Sequence, residues 1–176
     1  MKKILLSSVI SFSLISLLST VANAQLGIAK RPKIALGGNL IYAMPQGKFN
    51  QAYQYGVGGE LYGGLGLGST YLLASIGIIG YKGQSDYNTL TAVPVKVGLK
   101  KYFLLKKVFI NGDLGVSTIK VNSVSSSAFT SGFGGGIRLL GLEAALYYNA
   151  FKNNAGYSTT GYSNNLQAKI GWSLSL

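Results

Sequence analysis

Between residues 91 and 99, every second position is apolar or β-branched: Thr91, Val93, Val95, Val97 and Leu99. The positions between them and just beyond are small or cationic: Ala92, Pro94, Lys96, Gly98 and Lys100. A period of two predicts a strand whose two faces meet different surroundings. A helix would need apolar residues three and four apart. Pro94 removes a ladder hydrogen bond, which places it near a rim, in the first third of the strand. In a bilayer, the valine series would face acyl chains and the lysine series a polar lumen.

The same alternation recurs along the chain and predicts eight strands. Strand 1 spans about 33–43, with Ile34, Leu36, Leu40 and Tyr42 on one face. Strand 2 spans 54–65, where Val57, Leu61 and Leu65 alternate with Gly58, Glu60, Tyr62 and Gly64. Strand 3 spans 70–82, and strand 4, at 91–103, is the stretch above. Strand 5 spans 108–119, with Asn111, Asp113 and Ser117 opposite an apolar series. Strand 6 spans 128–139, strand 7 spans 142–151, and strand 8 spans 164–176. Each strand has the length a tilted membrane strand needs, close to ten residues. The connections alternate. Short turns follow strands 2, 4 and 6, at 66–69, 104–107 and 140–141. Longer polar loops follow strands 1, 3, 5 and 7, at 44–51, 83–90, 120–127 and 152–163. This asymmetry is expected of an all-β, eight-stranded antiparallel up-and-down transmembrane barrel with periplasmic turns and external loops. Tyr42, Tyr55, Tyr71, Tyr81, Tyr102, Phe103, Phe109, Tyr148 and Phe151 cluster near strand ends, as interfacial girdles would.

Composition narrows the function. The chain of 176 residues contains no Cys and no His. Disulfides, thiolate metal sites, His-ligated zinc and Ser-His-Asp hydrolysis are thereby excluded. After residue 24, no stretch approaches 20 consecutive apolar residues, so no spanning helix is expected there.

Met1-Lys2-Lys3, the apolar run Ile4–Leu18 and Ala22-Asn23-Ala24 have the layout of a secretory signal peptide over 1–24. Residues 25–176 would be the exported barrel domain. Without Lys2 and Lys3, the net charge falls from +12 to +10, 14 basic less 4 acidic residues. The lysines are scattered over strands and turns, so the charge suits acidic lipid headgroups or lipopolysaccharide better than nucleic acid.

The segments Gly38–Phe49, Val93–Phe103 and Gly132–Ile137 resemble the small outer-membrane β-barrel proteins common in Bacteroidota, related to OmpA-type and OmpX-type barrels. The resemblance covers the exported chain and implies an architecture, a bacterial outer-membrane location and passage through the barrel assembly machinery. It implies no activity. The chain departs from many such barrels by ending in Leu176 rather than an aromatic residue, and Trp172 stands four residues earlier.

Seven charged residues share the small and polar face: Glu60, Lys96, Lys100, Asp113, Arg138, Glu143 and Lys169. Charges enclosed in a narrow lumen should pair. A two-residue turn at 140–141 would set Arg138 opposite Glu143. A four-residue loop at 104–107 would set Asp113 opposite Gly98, with Lys96 and Lys100 on its diagonals. Glu60 is then the partner for Lys169 or Lys96. An eight-stranded barrel is only wide enough to be filled by side chains, so this network is expected to hold a plugged lumen shut. Glycines 58, 64, 98, 134, 136 and 171 would leave room for lysine stems and tyrosine rings.

Gly132-Phe133-Gly134-Gly135-Gly136 precedes no helix and is no phosphate loop. No catalytic residue, cofactor or metal is expected. The loop carrying Tyr157 and Tyr162, rich in Ser, Gly and Asn, has a composition suited to adaptable recognition of an extracellular ligand. The expected function is therefore a non-enzymatic barrel with a structural or surface-interaction role. The alternatives are a narrow channel for small or apolar solutes and a soluble periplasmic barrel with its apolar faces turned inward around a ligand.

Overall fold

The computed structural model describes residues 32–84, 87–122, 124–152 and 162–175, apart from the side chain of Tyr162. The leader at 1–24, Tyr157 and Leu176 lie outside the described residues. Eight strands follow in order: β1 (Lys33–Gln46), β2 (Tyr53–Leu67), β3 (Thr70–Gly83), β4 (Leu90–Phe103), β5 (Val108–Val121), β6 (Val124–Leu139), β7 (Leu142–Lys152) and β8 (Tyr162–Ser175). A single helical turn, α1 (Phe49–Ala52), stands between β1 and β2. Each strand pairs antiparallel with the next, and β8 pairs back onto β1 to close an eight-stranded barrel. Closure leaves no unpaired sheet edge.

The alternation of side chains decides which way the sheet closes. Leu40, Leu61, Val95, Leu114, Phe133, Leu146 and Ile170 all point outward and are more than half exposed. Glu60, Lys96, Lys100, Glu143 and Lys169 point inward and are buried. Turning the apolar set inward would put these charges outside, and the register forbids any mixture of the two. On β1 the outward apolar series runs from Ile34 to Tyr42. With a rise of about 3.4 Å per residue and a tilt of about 40°, it covers roughly 20–25 Å of height.

Several sequence expectations need correction. The serine-rich segment 120–127 is no loop. Val121 pairs with Val124, so the ladder runs to the tip, where Asn122 has φ 52°. Ser125, Ser126 and Ser127 pair with Lys120, Ile119 and Thr118, extending the ladder beyond the apolar band. Hence three of the four connections at that end are the longer ones. Strand β1 also runs past Pro45 to Gln46. Its ladder to β2 stops at Ala43, so one side is free of that partner where proline is tolerated. Pro94 does not sit near a rim. It is the fifth residue of β4, it is buried, and it pairs with Ser117, while the β3–β4 ladder is interrupted beside it.

The lumen is layered. At the loop end, Phe49 and Ala52 of α1 close an apolar cluster that includes Tyr53, Tyr81, Leu90, Ile119 and Phe151. Phe49 meets Tyr81 and Phe151 edge-on, with ring centroids 5.1 and 5.3 Å apart. At the turn end, Tyr62, Tyr71, Leu73, Tyr102 and Phe109 form a second cluster. Of the expected girdle, Tyr71, Tyr81, Tyr102, Phe109 and Phe151 are in fact buried inside. Their sequence parity is that of the inward series, and parity decides over proximity to a strand end.

Candidate functional site: the charged lumen

Two ion clusters lie below the loop-end layer, and the second is built into the turn-end one. In the first, Glu60 of β2 accepts hydrogen bonds from Lys169 of β8 at 3.1 and 3.3 Å and from Asn39 of β1 at 3.1 Å. Lys96 of β4 lies 3.5 Å from the same carboxylate and donates to Asp113 Oδ2 of β5 at 2.9 Å. The Tyr147 ring lies beneath both lysines, with Nζ–centroid distances of 4.3 Å for Lys169 and 5.4 Å for Lys96. Six strands converge here, because the lumen is narrow enough for opposite walls to touch.

In the second cluster, Glu143 of β7 is the acceptor. Lys100 Nζ donates at 2.5 Å, Tyr102 Oη at 2.6 Å, Ser173 Oγ at 2.9 Å and Tyr62 Oη at 3.2 Å. Lys100 is packed against the rings of Phe109, Tyr62 and Tyr102, at 4.1, 5.1 and 5.4 Å. A desolvated ammonium gains from facing aromatic rings as well as from its counter-ion.

The register places Arg138 directly across from Glu143 and Asp113 across from Gly98. Being opposite is nonetheless a different matter from pairing. Arg138 Nε stays 4.0 Å from Glu143, while its Nη2 donates to the Ser173 carbonyl at 3.0 Å. Lys100, three strands away on β4, takes the carboxylate by reaching across the lumen. Asp113 keeps Lys96 of its two diagonal lysines. Sequence alone missed Asn39, Tyr62, Tyr102, Tyr147 and Ser173 as members of the network. Their inward parity was the available signal, since each shares it with a charged neighbour two or four residues away or directly across.

Glycines build the lumen in two ways. Gly37, Gly56 and Gly66 pair with Tyr62, Tyr81 and Tyr71, and each tyrosine ring lies across the glycine opposite it. At Gly58, Gly64 and Gly136, a Cβ would meet the neighbouring strand's backbone. These three therefore permit the close strand approach of a small, strongly curved barrel, rather than making room for side chains. Gly37 offers a direct check. A methyl there would clash with the Trp172 carbonyl oxygen and lie 2.5 Å from Tyr62 Cζ, so Gly37→Ala should strain the β1–β8 ladder and push the ring off Glu143. The expected loss is about 1–3 kcal/mol of stability, the usual cost of overpacking. Tyr62→Phe in the same background should add little further loss in a denaturant titration.

The voids left among these side chains are small. One of about 30 Å³ is lined by residues of both clusters, and two of about 10 Å³ lie toward either end. Among the described residues, no group of three acidic side chains is placed to hold a metal ion.

No known protein family matches the chain, and no curated protein does. Among solved structures, it is similar to Neisserial surface protein A, with 10% identity over 80% of this chain and 96% of that one and a TM-score of 0.50. It is also similar to Ail, the attachment invasion locus protein of Yersinia pestis, with 13% identity over 84% of this chain and all of that one and a TM-score of 0.49. At such identity, the first likeness is one of fold: a closed eight-stranded antiparallel barrel of the outer-membrane type.

Proposed function

We propose that the chain is exported behind a signal peptide at 1–24 and inserted by the barrel assembly machinery into a bacterial outer membrane. There it acts as a non-enzymatic structural or surface-presenting protein. One observation carries the reading: the outer wall is apolar on all eight strands, while all three carboxylates among the described residues face inward with Lys96, Lys100, Arg138 and Lys169. In water such a wall would be an exposed apolar patch far larger than soluble monomers carry. In lipid it is the expected exterior.

A plugged lumen is supported by the small voids and by the pairing across the barrel, which hold opposite walls together. A channel would need a continuous polar path, and the apolar Phe49 layer interrupts one at the loop end. The absence of catalysis is supported by the partners of each carboxylate. Lysines engage all three, so the carboxylate oxygens that a proton transfer would use are already committed to ion pairs. Outer-leaflet lipid is the first partner, and an extracellular ligand would be met by the loops at the α1 end.

Fractionation of cells expressing the full chain, followed by electrophoresis with and without boiling, tests the reading. The expected result is recovery in the detergent-soluble outer membrane with a faster-migrating unboiled band. Release with the periplasmic contents, with one mobility under both conditions, would refute it. Reconstituted protein should give no steady conductance.

A further inference from the structure

The outer wall carries lysines at both rims, and on its strands more of them stand at the loop end. Strands β3, β5 and β7 all run toward the loop end, and each carries an outward lysine within its last two residues: Lys82, Lys120 and Lys152. All three side chains are exposed. Each stands just above its strand's outward apolar series, which includes Ile78 on β3, Val116 on β5 and Tyr148 on β7. None has a carboxylate partner among the described residues, because Glu60, Asp113 and Glu143 face the lumen. Beside Lys82, the Tyr55 ring lies 5.9 Å from its Nζ, and Tyr42 stacks on Tyr55 at 6.1 Å. The belt thus joins cations to flat aromatic faces where the apolar band meets water. At the turn end, the outward lysine on a strand is Lys101, which lies over Phe103 at 5.6 Å.

We propose that Lys82, Lys120 and Lys152, with the Tyr42–Tyr55 pair, form a belt that binds the phosphate groups of a phosphorylated glycolipid in the leaflet at the loop end. This rests on the outer-membrane reading above. Three reasons favour a phosphorylated lipid over another protein. The cations are spaced around the wall on alternate strands rather than gathered in one patch. They sit at headgroup height. The stacked tyrosines beside Lys82 offer a face to a sugar ring. An ammonium at an anionic membrane surface contributes about fivefold in affinity. The three together should contribute on the order of a hundredfold.

The test uses the refolded full-length barrel in zwitterionic detergent. The probes are bisphosphorylated lipid A, the same lipid after removal of its phosphates, and inorganic phosphate. Co-elution with lipid and the temperature at which the unboiled band disappears are read together. Lipid A should co-elute and raise that temperature, and the dephosphorylated lipid should do neither. Lys82→Gln/Lys120→Gln/Lys152→Gln should lose most of both effects, while Lys101→Gln keeps them. Equal binding of both lipids, an unaltered response in the triple variant, or saturation by inorganic phosphate alone would overturn the belt. A heat-modifiable band in the triple variant shows that it has folded. A wild-type protein that is soluble without detergent fails the membrane reading instead, which separates the two failures.

Discussion

Glu143→Gln should be the most damaging single substitution in the lumen, lowering stability by about 3–5 kcal/mol. The change keeps the shape and removes the charge. Lys100 would then be a buried cation without its counter-ion, at 4% exposure. The Tyr62, Tyr102 and Ser173 hydroxyls would lose a carboxylate acceptor. Arg138 is the useful contrast. Its guanidinium stays at 4.0 Å and gives up chiefly one hydrogen bond, to the Ser173 carbonyl, so Arg138→Gln should cost less, about 1–2 kcal/mol. The double substitution Lys100→Met/Glu143→Leu separates pairing from packing. Replacing both ions by apolar groups removes the desolvation penalty with the attraction and should restore part of the loss, the remainder being the cost of leaving the Tyr62, Tyr102 and Ser173 hydroxyls without that acceptor. Urea titration of the refolded protein, read as loss of the heat-modifiable band, measures all three. A Glu143→Gln protein as stable as the parent would show that Lys100 finds another acceptor and that the second cluster does not hold the walls.

The sequence made the sheet legible because one constraint governs the whole chain. Strict alternation fixed both faces of each strand. The turns at 104–107 and 140–141 then fixed the registers that set Asp113 across from Gly98 and Arg138 across from Glu143. What remained hidden depends on distances across the lumen. No periodicity tells that Lys100 passes over its neighbours to reach Glu143, because that contact depends on barrel diameter and side-chain reach. Tyr71 and Tyr81 were misread for another reason. Proximity to a strand end suggested a girdle, although both share parity with Leu73 and Ser75 inside. The serines at 125–127 have the composition of a loop, yet a strand above the apolar band needs no apolar residues to keep its ladder. Phe49 could be found from sequence only as an apolar residue out of place in a polar connection.

Val95→Arg should cost about 2–4 kcal/mol, and Thr91→Arg, on the same face of β4, about 0–1 kcal/mol. Both residues point outward in the series that led to the fold, and Val95 is 54% exposed. The difference between them is depth. Val95 stands near the middle of the apolar wall, where a guanidinium must drag water into hydrocarbon or bend toward a headgroup. Thr91 stands at the loop end, one residue after the start of β4 and across from Lys120, where headgroups and water are within reach. A soluble barrel with this surface would show the reverse, since adding charge to an exposed apolar wall improves its solubility and leaves packing untouched. Folding each variant into phosphatidylcholine vesicles and comparing urea midpoints gives the depth dependence directly. A Val95→Arg midpoint equal to that of the parent would mean that the valine face does not meet lipid, and the membrane reading would fall with it. The expected gradient from Thr91 to Val95 ties the alternation at 91–99 to a hydrocarbon exterior, because no aqueous surface penalises the same charge by depth.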